Sequence, residues 1–143
     1  MLQAAKILTR QVAAVLVVLS IAPALARNAG QWDDTATSVE VHQWYAKVTR
    51  PDSPGYSCCG DADAYYADSY RLGPNGEYIA ILTDERDAAY DRMAGRITRA
   101  PGTEFVVPQI KFQTKYGNPT GHGVVFIGST TGEVLCYIQP GGV

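Results

Sequence analysis

Three cysteines and one glycine-flanked histidine carry most of the chemistry open to this sequence. Cys58, Cys59 and Cys136 are its thiols, and Asp61, Asp63 and His122 could serve beside them. The first possibility is a disulfide. Joining Cys58 to Cys59 directly would close an eight-membered ring that strains the intervening peptide toward a non-planar or cis form. The expected bridge therefore joins Cys58 or Cys59 to Cys136, and the choice between the two stays open. The second possibility is a metal or thiolate site, because Cys59, Asp61, Asp63 and His122 combine soft and hard ligands. Their spacing matches none of the strong zinc patterns, which pair Cys-x₂-Cys or His-x₃-His units. The third makes one thiol a nucleophile, with His122 as its base and Asp61 or Asp63 as the orienting carboxylate. No cofactor is expected, the alternative being a transition metal.

Recognition is the other chemistry to consider. Tyr56, Tyr65, Tyr66, Asn118 and His122 fall in or beside two stretches rich in turn-forming residues, 50–63 and 113–123, and are the candidate binding surface. The aromatics Trp44, Tyr45, Tyr65, Tyr66 and Tyr70 could line a sugar or peptide groove, but at amphipathic spacing they read more simply as core or core edge. His42 lies off the apolar stripe of its helix and reads as solvated. Asn118-Pro119-Thr120 is no glycosylation acceptor, because proline occupies its middle position.

These residues need elements to position them. Thr37 with Glu40 has capping-box form, and Val41, Trp44, Tyr45 and Val48 fall on one helical stripe that Pro51 ends. Residues 50–63 must be turn and loop. Alternation through 65–72 and an apolar run at 78–83, with Pro74-Asn75-Gly76 between them, predict a β-hairpin. A charged helical excursion follows around Ala88–Met93 and closes at Pro101-Gly102. Glu104–Val107 is a short strand, which Gln109–Phe112 continues beyond a bend. Val124–Ile127 and Val134–Ile138 flank a loop of hairpin length. Together they predict an α+β domain over 35–143, with one N-terminal helix packed on a small antiparallel sheet of about five short strands.

The N-terminus predicts export. Lys6 and Arg10 precede an apolar run that Ala24-Leu25-Ala26 closes, which is the form of a signal peptide over 1–26. The run of about 12 residues is shorter than the roughly 20 needed to span a bilayer. Residues 27–34 are polar and predicted to be a flexible N-terminus. Removing Lys6 and Arg10 leaves ten basic against fourteen acidic residues, a net charge of −4. Nucleic acid requires clustered basic residues, and Arg92, Arg96 and Arg99 are diluted by Asp84, Glu85, Asp87 and Asp91. The expected location is periplasmic or secreted. The expected partner is a protein or small molecule, with no nucleic acid and no membrane after signal cleavage.

Several motifs then carry a likeness: Trp44-Tyr45, Arg50-Pro51, Ser57-Cys58-Cys59 with Asp61, Val107-Pro108, Asn118-Pro119, and the ending Cys136-Tyr137-Ile138-x-Pro140-Gly141-Gly142-Val143. The chain resembles a family of small exported bacterial proteins of unassigned function. Some relatives in that resemblance carry two further cysteines, at places that here correspond to 62–64 and 121–123. Their joint absence implies that they bridge each other, which favours pairing Cys58 or Cys59 with Cys136. The resemblance implies no enzyme activity. The expected function is a non-catalytic, disulfide-stapled binding or structural module, the alternative being a thiol- or metal-dependent enzyme centred on Cys58/Cys59 and His122.

Overall fold

The structure, a computed structural model, describes residues 38–86 and 88–141. The predicted signal peptide (1–26), the predicted flexible N-terminus (27–34) and Thr37 lie outside the described residues. Helix α1 spans Val39–Lys47. It is capped by Ser38, whose hydroxyl accepts from the Val41 N–H at 3.3 Å, so a donor left over at the helix start is satisfied one residue beyond the predicted Thr37 cap. The helix stops at Lys47, before Pro51.

Six short strands follow: β1 (Ala62–Tyr66), β2 (Ser69–Leu72), β3 (Tyr78–Ile81), β4 (Glu104–Val107), β5 (Val124–Gly128) and β6 (Val134–Ile138). A second helix, α2, covers Ala88–Ala94, and a single 3₁₀ turn covers Gln109–Lys111, where a strand continuation was predicted. The strands form two antiparallel sheets, ordered β1-β5-β6 and β2-β3-β4. Among the described residues the architecture is thus α+β, with six strands in two sheets in place of about five in one.

The break comes inside the run that the sequence reads as one strand. Tyr66 pairs with Val124 in the first sheet, and Ser69 pairs with Ile81 in the second. Between them, Ala67 and Asp68 turn the chain. The Ala67 N–H donates to the Gly123 carbonyl at 2.8 Å, and the Asp68 N–H donates to the Thr83 hydroxyl at 3.1 Å. The β2–β3 hairpin forms as predicted, with Gly76 at φ 79°. That left-handed conformation is open to glycine at little cost.

Period-two alternation assigns the two faces of the central strand β5. Val124 and Phe126 belong to a buried cluster with Trp44, Val48, Cys58, Cys59 and Cys136. Val125 and Ile127 belong to a second, with Tyr65, Ala80, Leu82, Val107 and Tyr137. Every residue of β5 and β6 is buried, as expected of strands covered on both faces. The β5–β6 register shifts between Phe126 and Ile127. Leu135 and Cys136 accordingly join the same cluster despite being neighbours.

Candidate functional site

The staple comes first in the assembly of the loops. Cys58 and Cys136 are bonded, with their Cα atoms 5.8 Å apart and a separation of 78 positions in sequence. This decides the choice that the sequence left open. Cys59 lies outside the bridge and is buried, 3% exposed, in the cluster around Trp44. Its backbone N–H donates to the Ser57 hydroxyl at 3.0 Å.

The segment 109–123 is fastened next. Lys111 pairs with Asp52 at 2.6 Å, and this hydrogen bond holds the Asp52 carboxyl below its ordinary range. The Gln113 N–H donates to the Tyr137 carbonyl at 2.9 Å, and its side-chain amide donates to the Thr49 carbonyl at 2.5 Å. The Tyr116 and Thr49 hydroxyls lie 3.2 Å apart. Further on, the Asn118 amide donates to the carbonyls of His122 (2.7 Å) and Gln139 (2.9 Å). Its oxygen accepts from the Thr120 N–H (3.0 Å) and hydroxyl (2.7 Å). Asn118 therefore organises the loop from within, and its hydrogen-bonding groups are engaged.

His122 closes the far end. Its Nδ1 lies 2.9 Å from Asp68, its ring stacks on Tyr66 at 4.2 Å, and the Gly123 N–H donates to the other Asp68 oxygen at 2.6 Å. Burial raises the Asp68 carboxyl, but the hydrogen bonds from His122, Gly123 and Thr83 outweigh it and hold the group below its ordinary value. The ionised carboxylate only accepts, so the Nδ1–H of His122 is the donor in this pair. Gly123 has no room for a side chain, since a Cβ there would overlap the Ala67 carbonyl oxygen.

On the other side of Tyr66, charge takes over the edge of β1. The Arg86 guanidinium lies 4.2 Å from the Tyr66 ring centre. It pairs with Asp84, which also accepts from Arg96 at 2.9 Å and from the Tyr66 N–H at 3.2 Å. Arg96 also pairs with Asp91 and donates to the Ala64 carbonyl at 2.7 Å. Asp84, Asp91 and Arg96 are almost wholly buried. These side chains satisfy the backbone groups that a further strand would otherwise pair, the usual means of closing a sheet edge.

The predicted residues are thereby sorted. Asp61 is exposed, and its carbonyl accepts from the Ser129 N–H. Asp63 is buried, and its carboxylate accepts from the Ile97 N–H at 3.2 Å. Asp68 is thus the carboxylate on His122, in the place proposed for Asp61 or Asp63. Among the described residues, no group of three or more His, Cys, Asp or Glu could hold a metal ion. Tyr56 is exposed, but Tyr65, expected at a binding surface, is fully buried and donates its hydroxyl to the Ile97 carbonyl at 2.6 Å. Asp68, Asp84 and Arg96 went unrecognised in the sequence. The signal for Asp68 was a charged residue interrupting an alternating run; the other two read as ordinary surface charge.

Two depressions flank the fastened loop. One, of about 240 Å³, lies between Phe112–Asn118 and Ile138–Gly141. The other, of about 420 Å³, lies between the loop residues Gly117, Asn118 and Pro119 and the side chains of Glu40, Gln43, Trp44 and Lys47 on α1. Gly117 and Asn118 wall both. No described helix is long and apolar enough to cross a membrane. Comparison with known proteins finds no matching family model, no matching curated protein and no matching solved structure.

Proposed function

We propose that this protein is an exported, disulfide-stapled binding module that recognises its ligand at the two depressions flanking Gly117 and Asn118. One observation carries the reading. The loop that walls both depressions is held by Gln113, by Asn118 and by the Asp68–His122 contact. A wall already ordered before binding loses little conformational entropy on binding, which leaves more of the contact energy as affinity. The Cys58–Cys136 bridge agrees with export, because disulfides persist in oxidising compartments. The resemblance to small exported bacterial proteins points the same way.

The rival reading is a thiol enzyme built on Cys59 and His122. Its support is the carboxylate-oriented imidazole, the form a general base takes in catalytic triads. Two measurements separate the readings. Titrating ¹⁵N-labelled protein with pools of dipeptides, tripeptides and monosaccharides is expected to shift amides of 112–119 together with 40–47 or 138–141. Responses confined to other surfaces would remove the proposed site. Iodoacetamide at pH 6 is expected to leave native Cys59 unlabelled, since an ordinary thiol with pKa about 8.5 is almost wholly protonated there. Rapid labelling at that pH would establish an activated thiolate and overturn the non-catalytic reading.

A further inference from the structure

The turn between β2 and β3 carries a chemistry that ligand binding does not use. The sequence has three asparagines, Asn28, Asn75 and Asn118, followed by alanine, glycine and proline in that order. A carboxamide carbon is electrophilic, and the backbone nitrogen of the next residue can reach it by closing a five-membered ring. Ring closure needs a nitrogen that bears a hydrogen and a following residue with no side chain in the way.

Asn75-Gly76 meets both conditions, and the structure leaves the pair accessible. Pro74, Asn75 and Gly76 are exposed. Among the described residues no hydrogen bond holds the Asn75 carboxamide, and a Cβ on Gly76 would meet nothing within 4 Å. Asn118 is the internal contrast. Its carboxamide is engaged by four hydrogen bonds, and the nitrogen of Pro119 has no hydrogen to lose.

The turn also sets the pace. The Gly76 N–H donates to the Gly73 carbonyl at 3.0 Å, and the Gly73 N–H donates to the Glu77 carbonyl at 2.8 Å. The Glu77 carboxylate accepts from the Asn75 N–H at 2.9 Å. The Gly76 nitrogen is free to attack only after it leaves Gly73, so the closed hairpin slows a reaction that its own sequence favours.

We propose that Asn75 is a site of self-modification, gated by opening of the β2–β3 turn, with water as the co-reactant. The Gly76 nitrogen bonds to the Asn75 Cγ, the Cγ–Nδ2 bond breaks, and ammonia leaves with the proton from Gly76. Water then opens the resulting succinimide at either carbonyl, giving aspartate or isoaspartate. Both products place a new carboxylate beside Glu77. Isoaspartate also inserts its Cβ into the backbone path, so the turn no longer closes its two backbone hydrogen bonds in register. This hairpin lines neither depression, which makes the site separate from ligand recognition.

The experiment holds the purified, disulfide-bonded protein in mildly alkaline buffer for weeks and follows tryptic peptide 72–86 by mass. That peptide contains Asn75 and no other asparagine or glutamine, so the mass gained when a carboxamide becomes a carboxylate reports this residue alone. Aspartate and isoaspartate forms are expected to accumulate there while Asn118 stays unchanged. A backbone hydrogen bond of this kind holds the open form down about fivefold, so unfolding in urea is expected to speed the reaction by that factor or more. Glu77→Ala, which releases the Asn75 N–H, is expected to speed it in the folded protein. Asn75→Gln is expected to stop it, because the longer side chain would have to close a larger ring. No mass gain in 72–86, or an equal gain at Asn118, would overturn the site. Equal rates in buffer and in urea would overturn the gating by the turn. Amides of 69–81 are expected to shift in the isolated isoaspartate form, and an unaltered hairpin spectrum would overturn the structural consequence.

Discussion

Replacing Asp84 with Asn keeps the side chain's shape and removes its charge, at the centre of four ionised groups. Asp84 and Asp91 balance Arg86 and Arg96, and Asp84 and Arg96 are 1% and 3% exposed at their side chains. After the substitution Arg96 keeps Asp91 and the Ala64 carbonyl, but Arg86 and Arg96 lose the buried carboxylate they share. Breaking a buried pair on one side costs about 3–5 kcal/mol. At about 4 °C per kcal/mol for a domain of this size, the melting temperature falls by about 12–20 °C. A pH series gives an independent check. Burial raises the Asp84 carboxyl, but its hydrogen bonds to Arg86 and Arg96 outweigh that and hold it well below the carboxylate range. A depressed folded-state pKa contributes stability that is fully present above the unfolded value, about 3.9, and is lost as pH falls toward the folded one. Calorimetry should therefore find the wild-type advantage complete at pH 7 and shrinking below about pH 4. A gap of only a degree or two at pH 7, or one that stays constant into strong acid, would refute the assignment of this network as the fastening of β1.

Two further changes test the frame around the site. Cys58→Ala with Cys136→Ala opens a loop of 78 residues, which in the chain-entropy account costs about 4.5 kcal/mol; urea denaturation should show a correspondingly lower midpoint, and an unchanged midpoint would deny the staple its role. Gly123→Ala sets a Cβ against the Ala67 carbonyl oxygen, where backbone meets backbone and no flexible side chain can yield. The expected cost is about 1–3 kcal/mol, accompanied by amide shifts through 117–123, and a variant with wild-type stability and spectra would show that these segments approach each other less closely.

Much of the fold was legible because its signals are local. The stripe Val41, Trp44, Tyr45 and Val48 marked α1, whose Trp44 is buried. Asn75-Gly76 marked the β2–β3 turn, where Gly76 takes positive φ. The apolar runs of β5 and β6 are buried throughout. Strain between adjacent cysteines directed the bridge to Cys136, but choosing Cys58 over Cys59 required the packing of their loop against β6. The division of 65–72 between two sheets was not legible, because alternation continues across it. The β1–β5 ladder stops where the Gly123 N–H, which would return the bond it receives from Ala67, donates to the Asp68 carboxylate instead, a contact distant in sequence. Asp63 was a plausible partner for His122 by proximity to the cysteines, yet Asp63 instead accepts from the backbone of Ile97.

The sequence alone determined most of the helix, strand and turn segments, the 3₁₀ turn at Gln109–Lys111 and the break between β1 and β2 excepted, since these preferences depend on periodicity and on backbone freedom within a few residues. Tertiary structure alone decided which charges meet. Asp68 reaches His122 across 54 residues, and Arg96 reaches the Ala64 carbonyl across 32. Such pairings follow from strand register and from how two sheets face each other. A shift of one residue in register would send each side chain to the opposite face, and the residues near these groups in sequence do not specify that register.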